Sequence, residues 1–152
     1  MRVAEIMTNA TVTDSHTGTL QAAAEMMWRQ QTGSIVIVEG GELAGIVTER
    51  DVLKAVAEGK DVAKTLVGDV MTTSVITVES DTSIRDAART MAHHWIRHLP
   101  VVDEGALVGI ISQRDVAGVF AALWRDAGLP EIDTDQLVRA RRLARLEPGD
   151  LD

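Results

Sequence analysis

Nothing constrains this chain more than an internal duplication with a constant offset of 64 residues. Val3-Ala-Glu-Ile-Met-Thr8 returns as Val67-Gly-Asp-Val-Met-Thr72. Gly41-x-Leu43-x-Gly45-Ile46 returns as Gly105-x-Leu107-x-Gly109-Ile110, and Arg50-Asp51-Val52 as Arg114-Asp115-Val116. Residues 3–52 laid over 67–116 give 15 identities in 50 pairs without a gap. Two long copies imply two supersecondary units that bury their faces against each other, rather than an extended solenoid. The same argument expects two related clefts about a pseudo-twofold axis.

Each copy reads in one order. A short strand (Thr11–Asp14; Val75–Val78) precedes a helix whose apolar positions are Leu20, Ala23, Ala24 and Met27, or Ile84, Ala87, Ala88, Met91 and Trp95. That spacing marks one buried helical stripe. Thr17 or Thr19, and Asp81 or Ser83, are N-cap candidates. A continuous apolar strand follows (Ile35–Val38; Leu99–Val102), then a Gly- and acid-containing hairpin turn, and a third strand (Leu43–Val47; Leu107–Ile111). The third strand runs into a second helix near Thr48 or Ser112. The expectation is an α/β (α+β) chain of two β-α-β-β-α repeats packed through their sheets. Residues 1–60 and 61–124 hold the repeats, joined by a linker around Gly59–Leu66, and 125–152 form a helical extension with a helix over Thr134–Leu146.

Composition narrows the function. Apolar residues make up 45% and charged residues 25%, as in globular domains. No apolar run reaches membrane-spanning length and no leader of the secretory kind opens the chain. With no cysteine there is no thiolate nucleophile, disulfide or thiolate metal site, and a cytoplasmic location fits. A net charge of −8 argues against general nucleic-acid affinity, so no nucleic-acid or membrane partner is expected. His93, His94 and His98 do not form a ligand set, since neighbouring helical side chains diverge and no carboxylate completes the group, so no metal is expected. No phosphate-binding glycine loop or nucleophile elbow is present, and no nucleophile is paired with a base; the chain does not read as an enzyme.

Thr48-Glu-Arg-Asp51 and Ser112-Gln-Arg-Asp115 sit where strand hands over to helix. Such a hydroxyl and carboxylate can close a capping box. The same place offers unpaired amides and a partial positive charge to an anion. Both roles are compatible.

The Ile-Met-Thr and Val-Met-Thr openings, His98-Leu-Pro-Val-Val-Asp103, Gly45-Ile-Val-Thr-Glu-Arg-Asp51 and Gly109-Ile-Ile-Ser-Gln-Arg-Asp115, in this order and duplicated, resemble the cystathionine-β-synthase (CBS) domain. The tandem over roughly 1–122 is similar to a CBS pair, or Bateman module. The resemblance implies that Asp51 and Asp115 hold ribose, and that Thr48 and Ser112 hold phosphate of an adenosine ligand (AMP, ADP, ATP or S-adenosylmethionine type), with no cofactor required. Arg114 can add charge, and Arg97 and His98 face phosphates in the Asp115 site, whereas the Asp51 site has Gly33-Ser34 in their place and lacks them. The base would lie against Thr11–Thr13 (Val12 and Thr13) in the Asp115 site and against Val75–Thr77 (Ile76 and Thr77) in the other. The family role is a ligand sensor that regulates a separate partner, here read as a stand-alone homodimer with Trp28, Met27, Met91 and Ala121 as candidate dimer surface. The alternative is a ligand-free interaction module in which both hydroxyl–carboxylate pairs are only caps.

Overall fold

A computed structural model describes residues 1–10, 12–13 and 16–127, with backbone only at 12–13 and 124–127. The expected helix over Thr134–Leu146 lies outside the described residues. The elements run β1 (Val12–Thr13), α1 (Leu20–Gln30), β2 (Ser34–Glu39), β3 (Glu42–Thr48), α2 (Glu49–Ala57), α3 (Ile84–His93), β4 (His98–Asp103), β5 (Ala106–Ser112) and α4 (Gln113–Ala127). Short 3-10 turns occupy Val3–Glu5 and Val67–Asp69. The chain divides into compact units at Val119, within α4, and the site described below belongs entirely to the first.

In each repeat the capping residue fixes where the first helix starts. Thr19 accepts from the Ala22 amide at 3.2 Å, and Ser83 from the Asp86 amide at 3.1 Å, which satisfies an otherwise orphaned donor. Leu20, Ala23 and Met27 on α1, and Ile84, Ala87 and Met91 on α3, are buried one turn apart, as their spacing requires. Two expectations fail here. Met27 and Met91 lie in the core at 5% and 4% exposure and cannot form a dimer surface. Trp95 is not on the apolar stripe: α3 ends at His93 and Trp95 takes a left-handed conformation, half exposed.

The strands are continuously apolar because both of their faces are covered. Ile35, Ile37 and Val47 face a core with α1 and α2, while Val36 and Ile46 meet Ile110 of the other sheet. β2 pairs antiparallel with β3, and β4 with β5, each with a register shift at the equivalent point, Ile37/Val38 and Val101/Val102. Gly40 and Gly41, and Glu104 and Gly105, all with positive φ, make the two hairpin turns.

The first sheet has three strands, because β1 adds parallel to β2 through Val12↔Val36 and Thr13↔Ile37. The strand expected over Val75–Val78 in the second copy reduces to one bridge, Val78↔Val101. Val78 donates to Pro100 O at 3.1 Å and accepts from the Val102 amide at 2.9 Å, but the next rung would need an N–H from Pro100. Proline has none, whereas Val36 occupies the matching place in β2.

The repeated Met-Thr segments explain the repeated glycines. Thr8 exchanges backbone hydrogen bonds with Ile110 at 3.0 and 2.9 Å, and Thr72 with Ile46 at 2.9 and 3.0 Å. Each segment therefore lies against the sheet of the opposite half of the duplication: Val3 joins the core of Ile84, Leu99 and Ile111, and Val67 that of Leu20, Ile35 and Val47. A Cβ at Gly109 would sit 2.9 Å from Thr8 O, and one at Gly45 2.7 Å from Met71 Sδ, so both positions need the missing side chain for this approach.

Candidate functional site

Both strand-to-helix junctions carry the capping geometry. Asp51 Oδ2 accepts from the Thr48 amide at 2.7 Å and its hydroxyl at 3.0 Å. Asp115 Oδ2 accepts from the Ser112 amide at 2.7 Å and its hydroxyl at 2.6 Å, and Ser112 Oγ accepts from the Asp115 amide at 3.3 Å. Each carboxylate thus commits one oxygen to the cap, and Oδ1 has no partner among the described residues. The first amide of each helix is also used. Glu49 donates to Gly33 O at 3.1 Å and Gln113 to Arg97 O at 2.8 Å. Those bonds tie each junction to the loop that enters the middle strand of its own repeat.

Two clefts open beside these junctions. The larger, about 930 Å³, is lined by Ser112, Arg114 and Asp115, by Thr8 and Asn9, and by Ser34, Glu49, Arg97 and His98. Its volume matches the range of small-molecule sites. The smaller, about 210 Å³, is lined by Thr48, Arg50 and Asp51 together with Val75, Ile76, Arg97 and His98.

Arg97 and His98 therefore border both clefts, not only that of Asp115. The reason is local packing near the pseudo-axis. A Cβ on Gly33 would stand 3.0 Å from His98 Cε1 and Nε2, so the imidazole lies over the glycine where the entries to β2 and β4 meet. Side chains at that meeting point reach either side. Thr77 is exposed and lines neither cleft, whereas its neighbours Val75 and Ile76 are half-buried and line the smaller one; in this segment only Val78 pairs with β4. Val12 and Thr13 are placed by their backbone pairing with Val36 and Ile37.

The larger cleft is balanced in charge. Arg97 and Arg114 face Glu49 and Asp115, and Arg97 Nη2 stands 3.4 Å from Glu49 Oε2. Burial pushes the His98 imidazole below its ordinary value, and Arg97 adds to that, while Glu49 and Asp115 oppose it and Arg114 lowers it slightly. The neutral ring is the favoured form at neutral pH. Sequence reasoning passed over two lining residues. Ser34 is 2% exposed and its hydroxyl has no hydrogen-bond partner among the described residues, although buried polar groups are nearly always satisfied. Glu49, an exposed first-turn residue of α2, drew no reading from the sequence. The one signal for Ser34 was its alignment with His98 across the duplication.

Among the described residues no group of three or more His, Asp or Glu is placed to share a metal ion, and no helix is long and apolar enough to cross a membrane.

Two repeats, sheets face to face and clefts at the strand-to-helix junctions define a tandem-repeat module with two related clefts. The CBS domain family model matches residues 3–58 and 67–122, and the chain belongs to that family. It is 40% identical over 116 residues to the CBS domain-containing protein YhcV of Bacillus subtilis, covering 76% of this chain and 82% of that one. Other relatives are longer, and the match spans 61%, 50% and 44% of three of them. The solved CBS domain pair of protein MJ0100, in complex with 5′-methylthioadenosine and S-adenosyl-L-methionine, superposes with a TM-score of 0.73 at 28% identity, over 80% of this chain and 97% of that one. The CBS domain protein PAE2072 of Pyrobaculum aerophilum, complexed with AMP, gives 0.70 at 28% identity, over 80% and 99%.

Proposed function

We propose that this CBS pair is a regulatory, non-catalytic sensor of an adenosine-containing ligand of the AMP, ADP, ATP or S-adenosylmethionine type. The observation that carries the reading is the buried, unpartnered Ser34 hydroxyl on the same cleft as the Ser112–Asp115 pair. A ligand oxygen would satisfy Ser34, Asp115 Oδ1 would accept from ribose hydroxyls, and Arg97 and Arg114 would offset phosphate charge. The adenosine ligands of the two related structures support that class of ligand. In the smaller cleft Thr48 and Asp51 take the matching roles beside Ile76. Because the clefts are built from both halves of the duplication, a bound ligand favours the relative arrangement it binds better, by no more than its differential affinity. The readout is a cytoplasmic partner protein or a change in self-association. A homodimer would form through α1 and α2, which expose Trp28 (78%) and Leu53 and Val56 respectively.

One observation favours the ligand-free interaction module instead: the Thr48–Asp51 and Ser112–Asp115 pairs satisfy each other as caps. Thermal unfolding against millimolar AMP, ADP, ATP, S-adenosylmethionine and NAD separates the readings. A ligand at about 100 times its Kd adds about 2.7 kcal/mol, a shift of a few degrees. The sensor reading expects such a shift with at least one compound and its loss in Asp115→Ala. No shift with any of them would leave the interaction module standing.

A further inference from the structure

The ion pair between Glu49 and Arg97 is out of place as a simple stabilising contact. Glu49 is the first residue of α2 in one repeat, and Arg97 lies just before β4 in the other. Both side chains are about half exposed, at 59% and 45%, and such pairs add little to stability. Yet both line the larger cleft, beside the unpartnered Ser34 hydroxyl and opposite Arg114. The pair exists on one side only. The duplication puts Gln113 where Glu49 stands and Gly33 where Arg97 stands, so the equivalent place holds neither charge.

We propose that Glu49 is an internal counter-ion of Arg97 that an anionic ligand must displace, which makes Glu49 the residue that sets the preference of the larger cleft for ligand charge. The Glu49 carboxylate stands on the guanidinium that a phosphate would use. A phosphate that enters must break a weak, solvent-screened pair and tolerate the released carboxylate nearby. A neutral ligand meets neither cost. The identity of the ligand rests on the adenosine reading above, but the role of Glu49 rests on the ion pair.

The test compares the full chain with its Glu49→Gln variant by isothermal titration with adenosine, AMP and inorganic pyrophosphate. Glutamine already serves at the equivalent position 113, so the fold accepts it there. The expected result is AMP and pyrophosphate bound about fivefold more tightly by the variant, with adenosine changed by less than about twofold. Equal changes for AMP and adenosine, or weaker AMP binding by the variant, would overturn the proposal. If neither adenosine nor AMP binds either protein while pyrophosphate binds the variant more tightly, the role of Glu49 stands and the adenosine reading falls. If none of the three binds either protein, both fall.

Discussion

His98 shows how one side chain can link the site to the solution. Its ring is packed over Gly33, and burial followed by the Arg97 charge depresses its affinity for a proton. In the unfolded chain it titrates near the ordinary value of 6.5. Between that value and its lower value in the fold, the unfolded state binds more protons, so stability falls as the pH drops through this window. We expect His98→Asn to flatten the decline relative to the parent when denaturant midpoints are compared at pH 7 and about pH 5. An unchanged slope would mean that the imidazole is as free to protonate as in the unfolded chain. The groups facing it, Arg97, Glu49, Asp115 and Arg114, are the ones a bound anion would disturb. An anionic ligand should therefore weaken the pH dependence along with its binding. Some of this was legible in the sequence. Thr48, Asp51, Ser112 and Asp115 were visible because a cap has a spacing and the spacing occurs twice. Ser34 and Glu49 were not, since burial without a partner and an ion pair between repeats are facts of tertiary contact that no local pattern carries.

Elements obey local rules except where one residue breaks them. Helix stripes and caps appear as their periodicity demands, because buried positions one turn apart leave a strong signal. The missing strand before α3 follows from Pro100 alone. The two hairpins differ in one turn residue: Gly40 begins the first and Glu104 the second, and both have positive φ, 59° and 50°. A non-glycine residue in that region is strained by about 1 kcal/mol or more, and the tip is open: a Cβ at the neighbouring Gly105 would meet no atom within 4 Å. Replacing Glu104 by glycine removes the strain but loosens the unfolded chain. The expected net effect is a gain of about 0.5 kcal/mol, read as a higher urea midpoint with an unchanged slope. A lower midpoint would show that the turn is held by interactions of the Glu104 side chain.

At the scale of the whole molecule, a duplication shows that there are two units but not where one ends. Any frame of 64 residues describes the repeat equally well, because a translation has no origin. Packing supplies the origin. The core of Leu20, Ile35 and Val47 is closed by Val67, Val70 and Met71 from beyond the linker, and that of Ile84, Leu99 and Ile111 by Val3, Ile6 and Met7 from the start of the chain. Backbone bonds repeat the exchange: Val67 donates to Gly18 O at 2.8 Å, and Val3 to Thr82 O at 2.9 Å, one period away. A fragment cut at the sequence repeat, residues 1–64, would carry the closing segment of the wrong core and lack its own. A fragment of residues 9–73 would keep the right one. We expect 9–73 to unfold cooperatively in urea and 1–64 to show no cooperative transition. The 9–73 fragment should also self-associate, because Val36 and Ile46 lose Ile110 as their cover and a new copy of the same face is the nearest substitute. Equal cooperativity in both fragments would mean that the swapped segments are decoration on two independent cores. The opposite outcome would make the exchange the reason that the two halves, and the clefts between strand ends and helix starts, respond to a ligand as one body.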